Sequence, residues 1–189
     1  ALSYGDTLVF IDTVAPSPNL LIFGAVHIAQ YLSSMARMAG FRVTVADSRA
    51  AFATEERFPD AAEILVGWPD AWIDRLTLDR RTYAAILNHD ARHEDPVLRE
   101  LLRSDARYIG AMGSRKTHAA RLERLGAEGF DGDDLARIHG PIGLDISAES
   151  PAEVAVSILG EMIRVRYGSG TGLSLQGTSG PIHATRTDG

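Results

Sequence analysis

Four consecutive apolar residues, Leu20-Leu21-Ile22-Phe23, stop at Gly24, and no other stretch of the chain limits the fold as much. A short continuous apolar run bounded by a turn residue is the pattern of a strand buried on both faces, as strands of a parallel sheet are. From Val26 to Ala39 the apolar residues then recur at helical spacing (Ile28, Leu32, Met35, Ala36, Ala39), and Gly40 supplies a carboxyl-terminal stop. Phe41 to Ala46 alternates apolar and polar side chains and ends at Asp47, which completes a strand-helix-strand unit. Parallel strands need such crossovers, so the expected class is α/β: a Rossmann-like three-layer domain with a mostly parallel sheet.

The pattern repeats along the chain. Further strands are predicted at Glu63 to Val66, Ala84 to Leu87 and Arg107 to Ala111, each followed by a segment that can be helical, most clearly Glu94 to Leu102 and Lys116 to Leu125. Ser150-Pro151-Ala152-Glu153 is a capping box with proline at the first helical position, so a long helix is expected from there to about Tyr167. The Rossmann-like domain therefore spans 20–167. Before it, Asp6 to Asp12 alternates like a half-buried edge strand and Pro16-Ser17-Pro18 breaks regular structure. With Ala1 rather than Met in first place, residues 1–19 read as edge strand and connector at the end of a further amino-terminal domain. After it, residues 168–189 are rich in Gly, Ser and Thr with few apolar anchors, the composition of a tail.

Charge and composition narrow the partners. A formal net charge of -6 draws the molecule to neither nucleic acid nor an anionic membrane, and neither is expected as a partner. The longest apolar stretches, such as Asn19 to Ala29, fall short of the roughly 18 to 20 residues of a spanning helix, which points to a soluble, cytoplasmic protein. The 189 residues hold no cysteine, so disulfides, thiolate metal sites, cysteine nucleophiles and iron-sulfur ligation are all excluded for them.

Three loops would emerge at the carboxyl edge of such a sheet, where open α/β folds bind ligands. The first is Gly24-Ala25-Val26-His27, placed like a dinucleotide-fold glycine turn, with Asp47 downstream as a ribose acid and Val26 where the central glycine normally stands. A turn kept only for folding explains the same residues, as a cap explains Asp47. The second is Asn88-His89-Asp90, with His89 a proton donor or hydrogen-bonding group; metal ligation by His89, Asp90 and His93 is not expected. The third runs from Gly110 through Gly113 to Ser114, Arg115 and Lys116 at a helix start. Cations oppose the positive end of a helix dipole unless an anion binds there, so this turn reads as a phosphate or carboxylate cradle. Asp145, before the last helix, either closes the site or braces a turn.

The strings YIGAMGSRKTHAARLERL (Tyr108 to Leu125) and PIGLDISAESPAEVAVSIL (Pro141 to Leu159) closely resemble the XdhC/CoxI family, accessory proteins of xanthine dehydrogenase and related molybdenum hydroxylases. FRVTVADSR (Phe41 to Arg49), ATEERFPDA (Ala53 to Ala61) and LNHD (Leu87 to Asp90) extend the similarity over most of residues 20–167. The resemblance implies a carboxyl-terminal Rossmann-like domain of a protein that binds molybdenum cofactor (molybdopterin). It also implies assistance with sulfuration alongside a cysteine desulfurase, and transfer to the apo-hydroxylase. That is a chaperone's role rather than a catalyst's, and no xanthine oxidation is expected from this chain alone. On this reading Gly110, Gly113, Ser114, Arg115 and Lys116 hold the cofactor phosphate. Loops carrying Gly24, Val26 and His27, Asp47 and Arg49, and His89 and Asp90 enclose the pterin. The chain departs from the family at Val26, where G-x-G-H is usual, and at Asn88, where threonine is usual. Two other readings stand beside it: an NAD(P)-binding oxidoreductase using Gly24, Asp47 and His89, and an interaction module with a vestigial nucleotide site. A homodimer is compatible with each.

Overall fold

The computed structural model describes residues 2–4, 7–9, 16–179 and 182. Six parallel strands form the central sheet: β3 (Asn19–Phe23), β4 (Arg42–Asp47), β5 (Glu63–Val66), β6 (Thr82–Ile86), β7 (Tyr108–Ala111) and β8 (Ile138–His139). Their order is β5-β4-β3-β6-β7-β8, which in units of the core is the Rossmann order 3-2-1-4-5-6. The strand order reverses its march between β3 and β6, and this switch point fixes where a ligand crevice opens.

Two cores sandwich the sheet. Alternation sends Leu20, Ile22, Val43, Val45 and Tyr83 to one face, where α1 (His27–Met38) and α5 (Pro151–Tyr167) pack side by side. Leu21, Phe23, Ala84, Ile86 and Ile109 face the other side, covered by α2 (Ala91–Arg103) and α3 (Arg115–Ala127). Ala29 and Ala36 lie fully buried on α1, where small side chains let the helix close onto the sheet.

Several expectations shift. The stretch from Asp6 to Asp12 contributes β2 (Thr7–Val9), which pairs antiparallel with β1 (Leu2–Tyr4) in a separate sheet rather than edging the main one. Asp6 and residues 10–12 lie outside the described residues. No full helix follows β5: two 3-10 turns, Pro69–Ala71 and Ile73–Arg75, carry the crossover, and buried Trp72 between them takes the place of a helical apolar face. α2 begins a turn earlier than Glu94, because Asp90 caps it by accepting from the Arg92 N–H. The short α4 (Gly132–Ala136) and β8 show no apolar period, since their polar segment offers too few apolar residues, and α4 opens on a capping box of Asp131 and Asp134 that the sequence expectations omit. No helix among the described residues is long and apolar enough to cross a membrane.

Candidate functional site

The turn after β3 is built around contact with its neighbours. The Gly24 N–H donates to Ala46 O at the end of β4, and Leu87 N–H donates to Phe23 O from the end of β6. Gly24 sits at φ +108°, and a β-carbon there would lie 2.9 Å from the Asn88 nitrogen, so only glycine lets the first and second loops meet. Asp47 braces the same turn. Its Oδ2 accepts from the Ala25 N–H at 2.7 Å, and the Arg49 N–H and guanidinium take its other positions at 2.9 Å. Burial pushes this carboxyl up, but the hydrogen bonds from Arg49 and Ala25 outweigh that and hold it below its ordinary value.

Asp47 is therefore spent internally, with 1% of its side chain exposed, and offers no free oxygen to a ribose. A carboxyl held low in the fold contributes stability at pH above its unfolded value, near 3.9, and loses it as pH falls through the folded one. Asp47→Asn should cost about 1 to 3 kcal/mol at neutral pH, because it leaves a buried N–H and part of Arg49 poorly matched. It should also flatten the acid limb of the stability curve. Urea unfolding at pH 7 and at pH 3.5 checks both, and equal losses at the two pH values would contradict the ion-pair role.

At the switch point a cleft of about 300 Å³ opens, lined by Val26, Arg49, Asn88, His89, Asp90 and His93 among others. Val26 occupies the cap position of α1 without any side-chain cap. His27, the next residue, is exposed and tilts against Tyr31 at 5.4 Å between ring centroids. His89 is exposed, while Asp90 is tied to its own helix through Arg92, whose guanidinium holds the carboxyl down at about 2. His93, considered from the sequence only as a metal ligand and set aside, is part of this wall. Its Nδ1 lies 3.3 Å from Asn88 Nδ2 and 3.5 Å from Ser48 Oγ, and its ring meets Trp68 edge-on at 4.2 Å.

The third loop opens a separate cleft of about 500 Å³ between the start of α3 and the 140–148 loop, with Arg115 and Asp145 in its lining. Ser114 caps α3 by accepting from the Thr117 N–H at 3.1 Å. Arg115 and Lys116 are exposed, and among the described residues neither is in an ion pair. Gly110 does not belong here: it is buried within β7, where a β-carbon would collide with Ile142 and the Tyr108 hydroxyl. Its lack of a side chain lets Ile142 of the 140–148 loop pack over the sheet.

Behind the third loop lies a cluster that sequence reasoning missed. Arg121 is fully buried on α3, bonds both oxygens of Glu94 on α2 at 2.9 and 3.1 Å, and donates to Met112 O at 2.7 Å. Arg124 adds bonds to Glu94 and Asp95. Glu161 of α5 braces the far wall, accepting from Tyr108 Oη at 2.6 Å and from the Gly143 N–H at 2.9 Å, with His139 Nδ1 3.3 Å from its other oxygen. Burial raises this carboxyl, yet the bonds from His139, Tyr108 and Gly143 together hold it below its usual range.

This arrangement has known relatives. The family profile of the XdhC Rossmann domain matches residues 20–162, three-quarters of the chain and all of the strands that carry these loops. The chain belongs to the XdhC family. It is 32% identical over 161 residues to a Bacillus subtilis (strain 168) protein whose name makes it one of the probable subunits of a xanthine dehydrogenase, covering 85% of this chain and 46% of that one. It is 29% identical over 151 residues to "Molybdenum cofactor insertion chaperone PaoD" of Escherichia coli (strain K12), covering 80% of this chain and 41% of PaoD. A crystal structure described as a xanthine dehydrogenase from Bacillus halodurans superposes with a TM-score of 0.72 at 29% identity, over 85% of this chain and 46% of that one. The chain thus spans less than half the length of these relatives.

Proposed function

We propose that this XdhC domain holds the molybdenum cofactor as cargo during maturation of a molybdenum hydroxylase, with the cofactor phosphate at the amino-terminal end of α3. The observation that carries the reading is the pair Arg115 and Lys116 in the first turn of that helix, with no acidic residue in the turn and no ion pair to either among the described residues. Two cations at the positive end of a helix dipole repel it and each other, and a bound phosphate reverses both penalties. The same turn borders a cleft large enough for a mononucleotide-sized ligand. The names of the relatives agree with an accessory role for molybdenum enzymes.

The residues fit the cargo in charge and chemistry: backbone N–H groups and two cations for phosphate, a polar-rimmed cleft for the heterocycle. This chain has no cysteine, so any sulfur set on the molybdenum comes from a partner such as a cysteine desulfurase, and the receiver is the apo-hydroxylase. The NAD(P) reading loses its ribose acid, because both Asp47 oxygens are taken up by Ala25 and Arg49.

Calorimetric titration with molybdenum cofactor or a stable phosphorylated pterin, and separately with NAD and NADP, tests the reading. Arg115→Ala/Lys116→Ala should weaken pterin binding at least about thirtyfold, since two charge-assisted contacts are removed. Pterin affinity unchanged in the double variant would remove the phosphate from this helix. Nicotinamide binding without any pterin binding would replace the reading with an oxidoreductase.

A further inference from the structure

The cleft between α3 and the 140–148 loop is lined by two opposite charges that do not neutralise each other. Arg115 lies on one side and Asp145 on the other, and among the described residues neither is in an ion pair. They are also the only charged side chains of that lining, the remainder being apolar groups such as Pro141, Ile142 and Val154, glycines, and two serines. Ser157, one of the two, already donates to Leu144 O at 2.6 Å. A ligand filling this space meets both a cation, carried on α3, and a carboxylate, carried on the 140–148 loop.

The carboxylate is carried on braced backbone. The Ile142 N–H donates to Ala111 O at 3.2 Å, the Gly143 N–H to Glu161, and the Leu144 N–H to Ser157 O at 3.2 Å, so each of the three residues before Asp145 is tied to the sheet or to α5. On the other side Glu153 accepts from the Glu149 and Ser150 N–H groups at 3.0 and 2.8 Å. Such a loop offers its carboxylate at little ordering cost.

A carboxylate has two acceptor oxygens and no donor, so its best planar partner presents two parallel N–H groups. Among phosphate-bearing heterocycles, the 2-amino-4-oxopyrimidine edge of a pterin or a guanine has that pair, a ring N–H beside an exocyclic amine. We infer that Asp145 reads the 2-amino-4-oxopyrimidine edge of the bound heterocycle while Arg115 takes its phosphate, so that the cargo lies along the 140–148 loop and not in the switch-point cleft. The inference rests on the cargo reading given above and assigns the residue that sets ligand class within it.

The test uses the whole chain and a matched pair of fluorescent probes: a phosphorylated 6-substituted pterin, and the corresponding lumazine, in which oxygen replaces the 2-amino group. Each is titrated against the unsubstituted protein, Asp145→Asn and Arg115→Ala/Lys116→Ala, with thermal unfolding as a check on folding. The unsubstituted protein should prefer the pterin by about tenfold or more, because the lumazine turns an acceptor toward the carboxylate. Asp145→Asn should abolish most of that preference while leaving thermal stability unchanged, since the side chain is exposed. The double variant should weaken both probes and keep the preference. Equal binding of the two probes by the unsubstituted protein, with both lost in the double variant, overturns the role of Asp145 and leaves the cargo reading intact. Failure of both probes to bind overturns the two together.

Discussion

Arg121→Met should destabilise the domain by about 3 to 5 kcal/mol and lower its Tm by about 10 °C, the largest stability effect expected of any charged residue among the described residues. Arg121 has none of its side chain exposed and Glu94 only 1%, so removing the guanidinium leaves a carboxylate in the interior without its main partner. The Met112 carbonyl loses its 2.7 Å donor at the same time. Arg124 reaches Glu94 from the rim at 2.9 Å and keeps the loss toward the lower end of that range. Urea unfolding at neutral pH measures it, and a loss below about 1 kcal/mol would mean that Arg124 or water replaces the buried guanidinium. Adding Glu94→Gln to Arg121→Met should recover part of the loss, because the uncompensated charge is then gone.

The position of this pair gives the substitution a second consequence. Glu94 follows His93, which faces the switch-point cleft, and Met112 precedes the Gly113-Ser114 turn that opens α3. The guanidinium thus joins the wall of one cleft to the start of the other loop through a single buried group. Arg121→Met should therefore weaken binding at the α3 turn even under conditions in which the protein remains folded.

How far the sequence can be read follows from what leaves a local pattern. The buried strands β3, β6 and β7 each carry a run of apolar residues, and the capping box of Ser150 and Glu153 announces α5 because both halves lie within four residues. The anion turn is legible for the same reason: glycine, cap and cations are contiguous from Gly113 to Lys116. What the sequence hides depends on contacts between distant segments. Gly110 looks like a turn glycine until Ile142 is seen to pack on it, and Asp47 looks like a ribose acid until Ala25 and Arg49 are found on its oxygens. Arg121 and Glu94 are 27 residues apart, and nothing near either one marks it as buried. Of the predicted residues, Val26, Arg49, His89 and Asp90 line one cleft and Arg115 another, since loops at one sheet edge share a side of the molecule without sharing a cavity.

Gly24→Val should cost about 2 to 5 kcal/mol and disorganise the switch-point cleft in the variant that still folds. Two effects add. At φ +108° a β-branched residue is strained by about 1 to 3 kcal/mol. Its β-carbon would also lie 2.9 Å from the Asn88 nitrogen and 3.1 Å from the Leu87 carbonyl carbon, both main-chain atoms that cannot rotate aside. Relief requires the turn after β6 to move away from the turn after β3, which carries Asn88 and His93 with it and opens the cleft they line. The α3 turn is built on β7 and Arg121, not on Gly24, so phosphate binding there should fall much less than in the Arg115 and Lys116 variants. Thermal unfolding together with the pterin titration separates the two clefts: lost stability with retained pterin affinity fits cargo along the 140–148 loop. Lost affinity in a Gly24→Val protein that remains folded would place the heterocycle at the switch point instead.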